Sequence, residues 1–267
     1  ALPILDNGMT VGISFILDQG DNEVSAEASS AGTAPFDSHS ISISSDAMGT
    51  LVMHGEGGSS AQSALDTTAA GDIWDTFDGT TTGTTVSSSA AGGDILVYTL
   101  PSMVDGLSVS ASYDPQQATA ASSTAFGVTY TGVEGLSVSY GKGDASTGVS
   151  TTEADATTMK ASYAYGSFTV AYSNNDYQTA VANSDQETTS YKVSYTVSDE
   201  LSISYGQEEI EKENDSDDAE FEAITVAYTS GGMTLTASAK ESTNAAHNSA
   251  STIDDRDYWS LGLAFAF

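Results

Sequence analysis

Residues 191–197 read Tyr191-Lys192-Val193-Ser194-Tyr195-Thr196-Val197. Tyr191, Val193, Tyr195 and Val197 share one parity, and Lys192, Ser194 and Thr196 share the other. Successive side chains of a β-strand point to opposite faces, so this stretch is a strand with one greasy face and one wet face. The pattern recurs along the chain. Met9, Val11, Ile13, Phe15 and Leu17 alternate with Thr10, Gly12 and Ser14, although Ile16 breaks the polar side. Leu107, Val109, Ala111 and Tyr113 alternate with Ser108, Ser110 and Ser112; Leu136, Val138 and Tyr140 with Ser137 and Ser139; Leu201, Ile203 and Tyr205 with Ser202 and Ser204. The closing segment sets Trp259, Leu261, Leu263, Phe265 and Phe267 against Tyr258, Ser260, Gly262, Ala264 and Ala266.

This periodicity predicts about 14 strands. Their spans are 8–18, 38–45, 49–56, 93–100, 106–114, 123–131, 135–142, 157–165, 167–174, 188–197, 200–209, 220–229, 232–241 and 256–267. No helical stripe of comparable quality appears, so the predicted class is all-β with antiparallel hairpins. Connections alternate in length. Short turns such as Thr131-Gly132-Val133-Glu134-Gly135 and Tyr165-Gly166 alternate with long polar loops near 19–37, 57–92, 115–122, 143–156, 175–187, 210–219 and 242–255. A sandwich has no reason to place every long loop at one end. A transmembrane barrel does, with short turns in the periplasm and long loops outside.

Composition agrees. Of 267 residues, 39% are hydrophobic, below the ordinary soluble range, as expected when only half of each strand must be apolar. Disorder is excluded because most of the 13 Tyr and 8 Phe sit inside regular segments. With the last strand ending at the periplasm, Tyr130, Tyr163, Tyr165, Tyr195, Tyr228 and Phe267 form a lower aromatic ring. Tyr113, Tyr140 and Tyr172 form an upper one, and two such girdles mark the lipid headgroup levels. The small, hydroxylated inward parity predicts a water-filled lumen rather than a dry core.

The charge narrows the function. Thirty-seven Asp+Glu against six Lys+Arg give a formal −31, which excludes a phosphate-tracking nucleic-acid partner. The absence of Cys excludes disulfides, thiolate metal sites and a thiol nucleophile. Ala1-Leu2-Pro3-Ile4-Leu5 has neither the basic nor the long apolar region of an intact signal peptide. His39, His54 and His247 are scattered without metal-ligand spacing, and no nucleophile elbow stands out, so the expectation is a non-enzyme.

The chain resembles the Gram-negative general porins, especially the alphaproteobacterial type. The carriers are Leu5-Asp6-Asn7-Gly8-Met9-Thr10-Val11-Gly12, then Ser40-Ile41-Ser42-Ile43-Ser44 running into Ala47-Met48-Gly49-Thr50-Leu51-Val52-Met53. Gly57-Gly58-Ser59-Ser60-Ala61-Gln62-Ser63-Ala64-Leu65, Asp94-Ile95-Leu96-Val97-Tyr98-Thr99-Leu100 and the terminal Phe267 follow in order. The resemblance implies an outer-membrane homotrimer of barrels with about 16 strands each, the third loop folded inward as a constriction. Leu5-Asp6-Asn7-Gly8 then looks like the turn before a third strand, so either two N-terminal strands are missing from residues 1–267, here a single barrel, as is expected, or the barrel has 14 strands.

The loop 57–92 carries Asp66, Asp72, Asp75 and Asp78, the expected acidic side of the constriction. His54, Lys160, Lys192, Lys240 and Arg256 share the lumen-facing parity and are the expected basic wall. An excess of fixed carboxylates enriches cations, so the expected function is a cation-preferring pore for small hydrophilic solutes and ions. A solute-specific channel and a secreted acidic adhesin or surface-layer protein are the alternatives. The acidic stretch 207–222 reads as a solvated loop, where Asp215, Asp217 and Asp218 would be the residues to hold Ca²⁺ and bridge to lipopolysaccharide. The overall acidity also suits a marine or halophilic surface.

Overall fold

The structure, a computed structural model, describes residues 8–17, 36–65, 67–77, 85–89, 91–115, 121–146, 153–213, 215, 217–247 and 255–266. The expected Asp66, Asp78 and Phe267, and the segment before Gly8, lie outside these residues.

Alternation builds the strands expected of it. They are β1 (Thr10–Leu17), β2 (Phe36–Ser45), β3 (Gly49–Glu56), β6 (Ile95–Thr99), β7 (Leu107–Asp114), β8 (Ser123–Tyr130) and β9 (Leu136–Ser146), with a two-residue ribbon of β4 (Gly58–Ser59) and β5 (Ala91–Gly92) inside the third connection. The second half contains β10 (Glu153–Tyr165), β11 (Phe168–Thr179), β12 (Gln186–Thr196), β13 (Leu201–Lys212), β14 (Ala219–Ser230), β15 (Met233–Thr243) and β16 (Arg256–Phe265). Apart from the ribbon, the strands form one 14-stranded sheet in chain order, each pairing antiparallel with the next. Among the described residues no ladder joins β1 to β16. A single 3-10 turn, Trp74–Thr76, is the helical element described, and no helix is long and apolar enough to cross a membrane.

The burial is inside out relative to a soluble protein. Large apolar side chains stand exposed on the outer face: Ile13 at 72%, Trp259 at 78% and Leu261 at 65%. Ser112, Thr158, Ser173, Asn175, Thr188, Ser190 and Glu208 are buried on the inner face. A low-dielectric surround makes this arrangement favourable, because it removes the apolar outer face from water.

Aromatic rings mark the ends of that face. Tyr130, Tyr163, Tyr165, Tyr195 and Tyr228 are outward and exposed near the short turns, and Phe168 packs on Tyr195 at 4.6 Å between ring centroids. Tyr113, Tyr140 and Tyr172 stand toward the long loops, where Tyr172 pairs with Tyr191 and Phe126 lies 5.9 Å from Tyr140. Above them the outer face turns acidic. Ladder partners there are Asp176 with Glu187, Glu187 with Glu211, Glu209 with Glu220, Glu222 with Glu241, and Glu241 with Asp257. Carboxylates directly opposite one another repel and cannot stand in hydrocarbon, so this level lies above the lipid band.

Two expectations need correction. The stretch 207–222 is not one loop: Gln207 to Lys212 extends β13, and Ala219 to Glu222 opens β14. The ladder continues because Glu208, Ile210, Ala219 and Phe221 are fully buried on the inner face while Glu209, Glu211, Glu220 and Glu222 alternate outward. Nor is the interior wholly wet. Ile210, Ala219, Phe221, Ala223 and Ala245 form an apolar cluster with Ala70, Ile73 and Phe77 of the long third connection.

Candidate functional site

The third connection, between β3 and β6, lies against the inner wall. Its backbone is read by inward wall side chains, strand after strand. Ser112 on β7 accepts from the Ala61 N–H at 2.9 Å. Ser173 on β11 accepts from the Ala69 N–H, and Ser190 on β12 from the Ala70 N–H, each at 2.9 Å. Gln186 holds both arms of an amide clasp, accepting from the Ser87 N–H at 2.7 Å and donating to the Thr85 carbonyl at 2.8 Å. Apart from Gln186, these are the positions that alternation gives as small and hydroxylated. The structure uses them to satisfy a loop backbone that has left its own ladder.

Gln62 closes the neck of the loop. It is fully buried, donates to Thr158 Oγ1 at 2.7 Å and accepts from the Ser89 N–H at 2.7 Å, tying the outgoing arm to the returning arm. Thr158 in turn donates to Asn175 Oδ1 at 2.7 Å, and Asn175 donates to the Ser87 carbonyl at 2.8 Å. Two wall glycines make room. A Cβ on Gly127 would stand 2.4 Å from the Ala61 carbonyl oxygen, and one on Gly206 would stand 2.9 Å from the Ala70 methyl. The loop therefore lies flush on bare backbone.

At the tip, Ile73 and Phe77 turn to the wall and pack on Phe221, with ring centroids of Phe77 and Phe221 5.8 Å apart. Asp72 and Asp75, beside them, are exposed. Asp72 adopts φ 51°, and its carboxylate accepts from the Thr68 hydroxyl at 2.8 Å and from the Trp74 indole at 3.3 Å. Glu208 on β13, with no exposed surface, accepts the Trp74 backbone N–H at 3.0 Å.

The cations stand where parity puts them, on the inner face, but three of them serve the loop. Lys160 donates to the Thr68 carbonyl at 3.0 Å and Lys192 to the Ala70 carbonyl at 3.5 Å. Lys240 donates to the Thr76 hydroxyl. The geometry differs from a basic wall facing the loop across the lumen, because these ammonium groups lie under the loop, on the side it rests against. His54 on β3 pairs with Ser40 and Ile95, and Arg256 on β16 pairs with Ser242.

Of the expected calcium residues, Asp215, Asp217 and Asp218 stand in or beside the short connection between β13 and β14. The carboxylates brought together are Glu209, Glu211 and Asp218, whose oxygens lie within 4.8 Å of one another. Sequence reading missed the uncharged loop-binding wall residues and Glu208. The available signal was Phe221 and Ile210 on the polar parity, which require something apolar inside the barrel.

The family model for Gram-negative porins matches residues 4–229. Among solved structures, the chain is similar to the anion-selective porin from Comamonas acidovorans at 14% identity and a TM-score of 0.62, covering 90% of this chain and 76% of that one. A variant of the Rh. blastica porin is similar at 16% identity and a TM-score of 0.61, over 100% and 88% of the two chains. A loop-deletion variant of OmpT, an outer membrane protein of Vibrio cholerae, is similar at 15% identity and a TM-score of 0.55, over 86% and 79%. A search of curated proteins finds no match.

Proposed function

This chain belongs to the Gram-negative porin family, an outer-membrane channel family, and we propose that it forms a cation-preferring diffusion pore for small hydrophilic solutes and ions. The observation that carries the cation preference is the division of charge on the loop. Asp72 and Asp75 are exposed on the loop, whereas Lys160, Lys192 and Lys240 donate to it from the wall. A permeating ion therefore meets the carboxylates more directly than the ammonium groups. Fixed charge between low-dielectric walls is felt more strongly than in open water, so a small imbalance sets the preference.

The test is a reversal potential across a planar bilayer under a potassium chloride gradient. The expected sign is that of cation permeation, and an anion-selective pore overturns the reading. Liposome swelling with sugars of graded size separates a general pore, which discriminates by size alone, from a solute-specific one.

The same reading makes the protein a homotrimer anchored among lipopolysaccharide. An apolar groove on the outer face of β1, β2, β3 and β6, lined by Ile13, Phe15, Ile41, Met53 and Leu96, supports packing between copies. The acidic level above the upper aromatic ring supports cation-bridged contact with lipopolysaccharide phosphates. Unheated gel migration at three times the monomer mass checks the first proposal.

A further inference from the structure

Outward residues of β13 to β16 stand in rows across the sheet. Gln207 pairs with Glu222, Glu222 with Glu241, and Glu241 with Asp257, which sets three carboxylates side by side on adjacent strands. The row beneath is Tyr205, Ile224, Ala239 and Trp259, and the next is Ile203, Val226, Ala237 and Leu261. Ala239 and Ala237 are short, whereas Ile224, Val226, Trp259 and Leu261 beside them are large and exposed. A trough therefore runs down the outer face of β15. At its upper end a hollow of about 330 Å³ reaches from Ile224, Ala239 and Trp259 to all three carboxylates. Among the described residues of these four strands no Lys or Arg shares the outward parity; Lys212, Lys240 and Arg256 stand on the other one. The charge of the row is thus not neutralised from its own face.

We propose that the trough binds a lipid with a free primary amine in its headgroup, the ammonium among Glu222, Glu241 and Asp257 and one acyl chain along Ala239 and Ala237. Charge complementarity selects the head, because a row of carboxylates attracts a cation and repels an anionic headgroup. Spacing selects an ammonium over a bare divalent ion. Among the described residues the acids brought to metal-ligand spacing are Glu209, Glu211 and Asp218, and this row is not. An ammonium has three N–H donors and can bridge neighbouring carboxylates at the cross-strand spacing of about 5 Å. Trp259, two residues from Asp257 on the same face and 78% exposed, offers its ring to the cation as well. Depth agrees with the chain. At a rise of about 3.4 Å per residue, Ala237 lies about 14 Å below Glu241, inside the apolar band. Occupancy of the trough does not depend on the selectivity of the bore.

The full chain in detergent with EDTA would be titrated in native mass spectrometry with three lipids of identical chains: phosphatidylethanolamine, its N-acetylated form and phosphatidylglycerol. The expected result is one phosphatidylethanolamine per chain, bound severalfold more tightly than the other two. Glu241→Gln with Asp257→Asn should abolish that preference, and Ala239→Leu, which fills the trough, should weaken phosphatidylethanolamine binding. Glu134→Gln, in the turn between β8 and β9, should change neither. No binding, equal binding of the three lipids, or a preference that survives the double substitution would overturn the proposal. So would phosphatidylglycerol binding that overtakes phosphatidylethanolamine once calcium replaces EDTA, which would assign the row to metal bridging. Wild-type protein supplies a second measurement that needs no variant to fold. In phosphatidylcholine vesicles, phosphatidylethanolamine brominated along its chains should quench tryptophan emission more than brominated phosphatidylglycerol at equal mole fraction, and equal quenching sinks the site.

Discussion

Glu208 Oε2 accepts the backbone N–H of Trp74 at 3.0 Å across a sequence separation of 134 residues, joining strand β13 to the tip of the third loop. The carboxylate is fully buried, so its attraction to the loop is little screened by water. Glu208→Ala removes the acceptor and leaves the Trp74 N–H without a partner, a loss of about 1–3 kcal/mol. The loop tip should then leave the wall for part of the time. Single-channel recordings of Glu208→Ala should show added current noise and substates, while Glu208→Gln, which keeps one acceptor oxygen, should be closer to wild type.

Asp72→Asn together with Asp75→Asn tests the origin of selectivity. Both side chains are exposed and neither packs in the apolar cluster, so the fold should survive. The cation-to-anion permeability ratio should fall severalfold, and the fall should be larger in dilute salt than near 1 M, where the Debye length is about 3 Å. An unchanged reversal potential would place the selectivity elsewhere in the channel.

Gly127 lets the loop neck rest on the wall, because a Cβ there would stand 2.4 Å from the Ala61 carbonyl oxygen. That oxygen is backbone, and it cannot rotate aside as a side chain would. Gly127→Val should displace residues 60–62 toward the bore. The expected outcome is lower conductance with strand content unchanged by circular dichroism. A conductance equal to wild type would mean that the neck does not bound the pore.

Why the barrel was legible and the loop was not follows from where water stands. Between the aromatic levels, lipid demands an apolar residue at every second position, and Tyr191, Val193 and Tyr195 announce it. Above that level the outer face is acidic instead of apolar, so residues 210–212 read as a loop although the ladder continues through Ile210 paired with Ala219. Extensions of β9, β10 and β11 were hidden for the same reason. The loop path was hidden because hydroxyl-to-backbone bonds such as Ser190 to Ala70 leave no periodic mark. Parity placed Lys160 and Lys192 inside the wall but could not say that the loop would lie over them.

Val193 and Ser194 offer a paired test of which face meets lipid. Val193 stands outward between Tyr191 and Tyr195, 43% exposed, beside Val170 on β11 and Tyr205 on β13. Its neighbour Ser194 points into the lumen. Arginine at a lipid-facing site costs up to about 2–4 kcal/mol near the bilayer centre and less toward the interfaces, whereas a lumen site keeps the guanidinium in water. Val193→Arg should therefore lower the urea midpoint for unfolding from lipid vesicles, and Ser194→Arg should leave it nearly unchanged while reducing cation preference. Equal destabilisation by both would mean that the two faces see the same solvent, which a barrel in a membrane does not permit.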